Sequence, residues 1–251
     1  MCCEGSLPPP LVILLPGLDG TGKFCAEFAR ILGSSAESVI VAYPKDQPLG
    51  YDELEARVLA ALPRHRPFLL LAESFAGPIA IRIAAQSPPE LLGVILCGSF
   101  ASNPFPWLGW ARPLAAFLPV KSLPRWVRAP LMWGSASPRR APGQMQRAIA
   151  GVSSAVIRRR IAALLSVDEN AALGRIRLPT LVIKARRDRV ISRAATRRML
   201  AQLPHAQLIE IDGPHLLLQT RPGECAAAVG QFVQAVLRAR HRAVPVPAVP
   251  P

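Results

Sequence analysis

Histidine and lysine are the scarce side chains of this sequence. Its 251 residues include four histidines, and lysine supplies only Lys23, Lys45, Lys121 and Lys184 of 30 basic residues. The shortage of histidine restricts imidazole acid–base chemistry near neutral pH to His65, His205, His215 and His241. Cysteine is sparse too. Cys2, Cys3, Cys25, Cys97 and Cys225 form an odd set whose spacing matches no metal site and no disulfide framework. They read as free thiols of a reducing compartment, with Cys97 a core residue in LLGVILCGSF. No apolar run is long enough to cross a bilayer as a helix: the longest charge-free run, 91–111, is broken by Asn103, Pro104 and Pro106. The start, MCCEGSLPPP, has no basic n-region and no separate apolar segment. A soluble cytoplasmic protein without a stable membrane anchor is expected. Internal repeats are absent.

Acidic residues number 16 against the 30 basic ones, a formal charge of +14. Such a field could attract nucleic acid. The basic residues are scattered, however, with clusters at Arg158–Arg160 and around 186–198, and no aromatics interleave with them. No nucleic-acid partner is expected. An anionic acyl carrier, such as an acyl-carrier protein or a coenzyme A ester, is the charged partner such a surface suits.

Against these shortages, 51% of the chain is hydrophobic, enough for a large core. Apolar runs of strand length recur at 11–17, 38–44, 68–74, 93–99, 180–186 and 206–212, mostly continuous in the manner of strands buried on both faces. Amphipathic helical patterns lie at 23–32, 52–62, 75–86, 192–203 and 222–240, with Ser192 and Asp52 as candidate N-caps. Strand followed by helix, repeated, predicts an α/β fold with a mostly parallel central sheet and helices on both faces. The alternation fails between 101 and 173, which is rich in proline, holds all four tryptophans and turns helical through 144–165. The expected organisation is a core of 1–100 and 174–240, an insertion covering the site at 101–173, and a disordered Pro/Val/Ala tail at 241–251.

In parallel sheets of this kind, sites form beyond the carboxyl ends of the strands. His65 and His205 precede their strands and His241 falls in the tail. His215, in IDGPHLL, alone follows a strand end. Two segments carry a small–x–Ser–x–small pattern: AESFA (72–76) and GVSSA (151–155). Ser153 has no strand before it, whereas Ser74 ends a buried strand and opens a helix. A serine at that sharp turn is held strained with its hydroxyl exposed, and its neighbours Ala72 and Ala76 must be small. For the acid that orients the histidine, Asp188 follows the strand at 180–186. Asp212, three residues before His215, is the alternative. Oxyanion donors would be the N–H groups of Phe75, after the nucleophile, and of Leu18, in the glycine-rich loop LLPGLDGTG. The rival reading of that loop as a phosphate cradle fails on spacing. Asp19 and the aromatic Trp107, Trp110 and Trp133, with Phe105 and Phe117, are candidate substrate contacts.

These segments together resemble the α/β-hydrolase-fold superfamily: LPGLDGTG as oxyanion loop, AESFAG as nucleophile elbow, ARRDRVIS around the acid and GPHLLLQTRPGE around the histidine. They span 11–238 in the family's order. The resemblance implies a variable helical cap, matching 101–173, and a Ser74–His215–Asp188 triad that needs neither metal nor cofactor. The activity it implies is hydrolysis of a small-molecule carboxylic ester with an apolar acyl or alcohol group. Acyl-thioesterase or acyltransferase action on a carrier- or lipid-linked acyl group is the alternative, and a non-catalytic binding protein the reading of another class.

Overall fold

The structure is a computed structural model that describes residues 10–117, 132 and 149–243. Six strands form one all-parallel sheet: β1 (Leu11–Leu15), β2 (Ser38–Ile40), β3 (Phe68–Glu73), β4 (Leu91–Cys97), β5 (Thr180–Ala185) and β6 (Gln207–Ile211), in the order β2-β1-β3-β4-β5-β6. The central strands β1, β3 and β5 are buried at every position, as their continuous apolar runs predict. The edge strands are not. Val39 in β2 and Leu208 in β6 are exposed, because an edge strand has a neighbour on one side only.

Alternation along each strand divides the core in two. Leu11, Ile13, Leu15 and Leu70 point into one apolar layer, with Leu54, Ile79, Ile83 and Met199; Val12, Leu14, Leu69 and Leu71 point into the other, with Phe28, Leu32, Val229 and Phe232. The first layer is covered by α2 (Tyr51–Ala61) and α3 (Gly77–Gln86), together with α6 (Arg193–Ala201). The second is covered by α1 (Ala26–Leu32) and α8 (Pro222–Ala243). Phe28 and Phe232 are buried, and truncating either to alanine is worth about 3–5 kcal/mol.

Ser192 caps α6 as expected, its Oγ accepting from Ala195 N–H at 3.1 Å. Asp52 does not cap α2. The cap is Gly50, whose N–H donates to Glu53 Oε2 at 2.8 Å. Helix α8 runs on to Ala243, so His241 is helical and the expected tail begins with the end of a helix; 244–251 lie outside the described residues.

The segment between β4 and β5 carries a 3₁₀ helix, Pro106–Phe117, then α4 (Ser154–Leu164) and α5 (Asn170–Leu173). Its two ends are tied together: Asn103 N–H donates to Val167 O at 2.9 Å and Glu169 N–H to Ala101 O at 2.8 Å. Arg82 on α3 holds the exit, its Nε donating to Glu169 Oε1 at 2.6 Å.

The register aligns the strand ends. Leu15 pairs with Ala72, Glu73 with Cys97, Cys97 with Ile183 and Ala185 with Ile211, so the loops following β1, β3, β4, β5 and β6 leave the same edge of the sheet. That edge is where parallel sheets gather their sites.

Candidate active site

The turn after β3 carries the backbone strain. Ser74 has φ +49°, left-handed for a residue with a side chain, and it opens a single 3₁₀ turn, Ser74–Ala76, before α3. Neighbouring groups hold it there. Ser99 Oγ donates to the Ser74 carbonyl at 2.7 Å, and a Cβ on Gly77 would overlap that hydroxyl, so position 77 admits only glycine. Tyr51 Oη donates to the Phe75 carbonyl at 3.1 Å while its ring stacks on the Phe75 ring at 4.7 Å between centroids. The Phe75 N–H lies in the first turn, where no intrahelical acceptor exists. Ala72 and Ala76 are fully buried on either side.

His215 lies on the loop after β6 and Asp188 on the loop after β5. Ser74 Oγ lies 2.9 Å from His215 Nε2, and His215 Nδ1 lies 2.9 Å from Asp188 Oδ2 and 3.1 Å from Oδ1. The His215 and Asp188 side chains are 3% and 1% exposed. Asp188 Oδ1 also accepts from the N–H groups of Val190 and Ile191, both at 2.8 Å. Burial alone would push the Asp188 carboxyl up. The His215 ring beside it, its hydrogen bond and the Ile191 and Val190 N–H groups outweigh burial and hold it below the usual carboxylate range. An ionised carboxylate only accepts, so Nδ1 carries the ring proton and Nε2 is left to accept from the serine hydroxyl. Behind the imidazole, Gly98 has φ +53°, and a Cβ there would sit 3.2 Å from His215 O.

Glu73 lies beneath this group. Its Oε1 accepts from Gln219 Nε2 at 2.7 Å and its Oε2 from the Cys25 thiol at 3.4 Å. Burial raises its carboxyl above the usual range, against the Gln219 hydrogen bond. Gln219 sits on α7 (Leu217–Thr220), just past His215, so Glu73 ties the elbow to the histidine loop from behind.

The loop after β1 passes over the elbow: a Cβ on Gly17 would lie 3.8 Å from Ser74 Cβ. Leu18 N–H makes no backbone hydrogen bond among the described residues. Asp19 does not face outward. It is buried, and its carboxylate accepts from the Thr21 N–H at 2.9 Å and from the Thr21 hydroxyl, closing the loop on itself. Arg160 of α4 reaches the same loop. Its Nη1 donates to Leu18 O at 2.9 Å and Asp19 O at 2.8 Å, its Nη2 to Pro44 O at 2.9 Å, and its guanidinium lies 5.4 Å from the Tyr43 ring centroid.

Several expected candidates lie elsewhere. Ser153 caps α4, its Oγ accepting from Ala155 N–H at 3.3 Å. Asp212 is a half-exposed surface carboxylate paired with Arg187 at 3.2 Å. Trp107 and Trp110, on the 3₁₀ helix, are 66% and 73% exposed. Trp133 lies outside the described residues. Among the described residues no cluster of three or more His, Cys, Asp or Glu side chains could hold a metal ion, and no helix is long and apolar enough to cross a membrane.

Sequence reasoning missed Tyr51, Ser99, Gln219 and Arg160. Each acts on the site through a backbone carbonyl or a carboxylate, and no motif marks such partners. Arg160 was hidden in the run Arg158-Arg159-Arg160, where three identical side chains give no sign that one is buried.

Known proteins share this architecture. The enol-lactonase from Burkholderia xenovorans LB400 superposes with a TM-score of 0.79 at 17% identity, over 92% of this chain and 93% of that one. MenH from S. aureus gives a TM-score of 0.77 at 12% identity, over 93% and 96%. At such identities the likeness is one of fold. A polyketide synthase of Burkholderia thailandensis, ThaQ, is 27% identical over 257 residues, covering 92% of this chain and 12% of that protein's length. The model of the alpha/beta hydrolase family matches residues 11–228, and the chain belongs to that family.

Proposed function

We propose that the protein is a serine hydrolase that cleaves carboxylic esters through an acyl-enzyme. The single observation carrying this reading is the unbroken relay from Ser74 Oγ to His215 Nε2, 2.9 Å, and from His215 Nδ1 to Asp188 Oδ2, 2.9 Å. In this reading Ser74 Oγ attacks the ester carbonyl as His215 Nε2 takes its proton. Asp188 keeps the ring in the required tautomer and stabilises the imidazolium. The Leu18 and Phe75 N–H groups receive the oxyanion, and His215 then protonates the leaving alcohol. Water, deprotonated by the same nitrogen, attacks the acyl-enzyme and releases the acid and Ser74. No step requires a metal or an organic cofactor.

A second reading, thioesterase or acyltransferase action on a carrier- or lipid-linked acyl group, draws support from the likeness to the polyketide synthase. The formal charge of +14 suits an anionic carrier. Both readings share the acyl-enzyme and differ in what delivers and receives the acyl group.

A fluorophosphonate probe followed by peptide mapping tests the shared step, and labelling at Ser74, abolished in Ser74→Ala, is expected. A wild-type protein that stays unlabelled and inactive on short p-nitrophenyl esters points instead to a non-catalytic member. Matched acyl esters and acyl thioesters, assayed with and without an alcohol acceptor, then separate the two readings by kcat/KM and by product.

A further inference from the structure

We propose that Arg160, carried by the insertion helix α4, is a positioning residue that holds the loop Gly17–Gly22 in the shape that presents the Leu18 N–H to a substrate oxyanion. This inference rests on the hydrolase reading above and deepens it.

The guanidinium of Arg160 is fully buried, although it belongs to a helix outside the sheet. Burying a charge is costly unless its donors are satisfied. Here the acceptors are main-chain carbonyls and not an ion-paired carboxylate. Nη1 bridges two consecutive carbonyls, Leu18 O and Asp19 O, and Nη2 takes Pro44 O. A planar fork of donors suits three such fixed acceptors; a lysine ammonium carries its donors on one point. Its Nε has no hydrogen-bond partner among the described residues, but with both Nη groups engaged and no exposed surface Arg160 is not a ligand for substrate.

The loop it grips needs a restraint. Gly20 and Gly22 have φ +69° and +70°, and glycine resists no other conformation. Its own ties are the Asp19–Thr21 turn, a Gly20 N–H to Gly17 O bond of 3.0 Å and a Tyr43 N–H to Gly20 O bond of 2.7 Å. None of these orients the Leu18 carbonyl. Arg160 does. The Leu18 N–H shares its peptide plane with Gly17 O, which the Gly20 N–H holds, so by fixing the two carbonyls between them Arg160 keeps the turn that sets the direction of the Leu18 N–H. A Cβ on Gly20 would meet Nη1 at 2.5 Å, so the loop glycine and the arginine fit only each other. Helix α4 is pinned beside this contact, because Ser153 N–H donates to Lys45 O at 2.7 Å. One donor of the oxyanion site is therefore set from the insertion.

The test compares wild type, Arg160→Met, Arg160→Lys and the surface control Arg159→Met. Active sites are titrated with fluorophosphonate, then kcat and KM for a p-nitrophenyl ester and Ki for an alkylboronic acid, a tetrahedral mimic, are measured per labelled site. Arg160→Met is expected to lower kcat by about 10- to 100-fold and to raise Ki in parallel, with KM changed by less than about threefold. Arg160→Lys should fall between Met and wild type, and Arg159→Met should match wild type. A merely structural arginine would lower melting temperature and active-site yield while leaving kcat and Ki per site unchanged, and that result overturns the inference. If Arg160→Met does not fold, Arg160→Lys is read the same way, and wild-type kcat and Ki there overturn it. A wild-type protein with no labelled Ser74 sinks the hydrolase reading itself; an active wild type with indifferent variants sinks only the role of Arg160.

Discussion

Segments 72–76 and 151–155 share one local pattern, a serine flanked two residues away by small side chains, yet they do opposite things. Ser74 has φ +49°, between a buried strand and a helix, with its Oγ 2.9 Å from an imidazole. Ser153 has φ −59° and spends its Oγ on capping α4. In the first segment the small residues make room for a strained turn whose carbonyls Ser99 and Tyr51 hold in place. In the second they are ordinary residues around a helix start. A pattern of residue sizes specifies what can fit; the elements on either side decide what is made of it.

The comparison breaks most sharply by substitution of the two serines. Ser74→Ala should lower ester turnover by at least about 10⁴-fold, whereas Ser153→Ala should leave turnover within about twofold and cost roughly 1 kcal/mol of stability as a lost cap. Equal losses of turnover would dissolve the distinction. The two aspartates form a parallel pair. Asp188→Asn should cost on the order of 10²- to 10⁴-fold in kcat, because the amide no longer accepts from Nδ1 and stabilises the wrong tautomer. Asp212→Asn, which removes only a surface partner of Arg187, should stay within about threefold; the reverse order would move the acid to Asp212.

The smallest effect expected is on pH dependence. Burial raises the Glu73 carboxyl in the folded protein, so the stability linked to its proton is present below its unfolded value and lost as pH rises through the folded one. Glu73→Gln cannot ionise. Its melting temperature relative to wild type should therefore rise as pH increases above the ordinary carboxylate range. A difference independent of pH would show that Glu73 does not titrate in this range.

Much of the architecture was legible because burial leaves a periodic trace. Continuous apolar runs marked β1, β3, β4 and β5, since strands covered on both faces are mostly apolar; Glu73, Thr180 and Lys184 are the buried polar residues on them. The edge strands β2 and β6 proved shorter and more exposed than their runs suggested, because pairing on one side stops sooner. Asp52 looked like a cap by residue type, but the helix begins one residue earlier and uses a glycine, with Glu53 bonding back to it. Trp107 and Trp110 of the insertion are exposed, and the side on which an aromatic residue emerges depends on a packing that composition does not encode.

By itself the sequence determined the order of strands and helices, the edge at which reactive side chains gather and the scarcity of histidine that left His215 as the base to consider. These follow from local chemistry: alternation, turn residues, strand ends. Only the tertiary structure decided that Ser74, His215 and Asp188 come within hydrogen-bond reach of one another, and which of three adjacent arginines is buried. Such choices depend on contacts between residues far apart in the chain. Arg160 meets Leu18 and Asp19 across more than a hundred residues, and nothing local to either segment records that they touch.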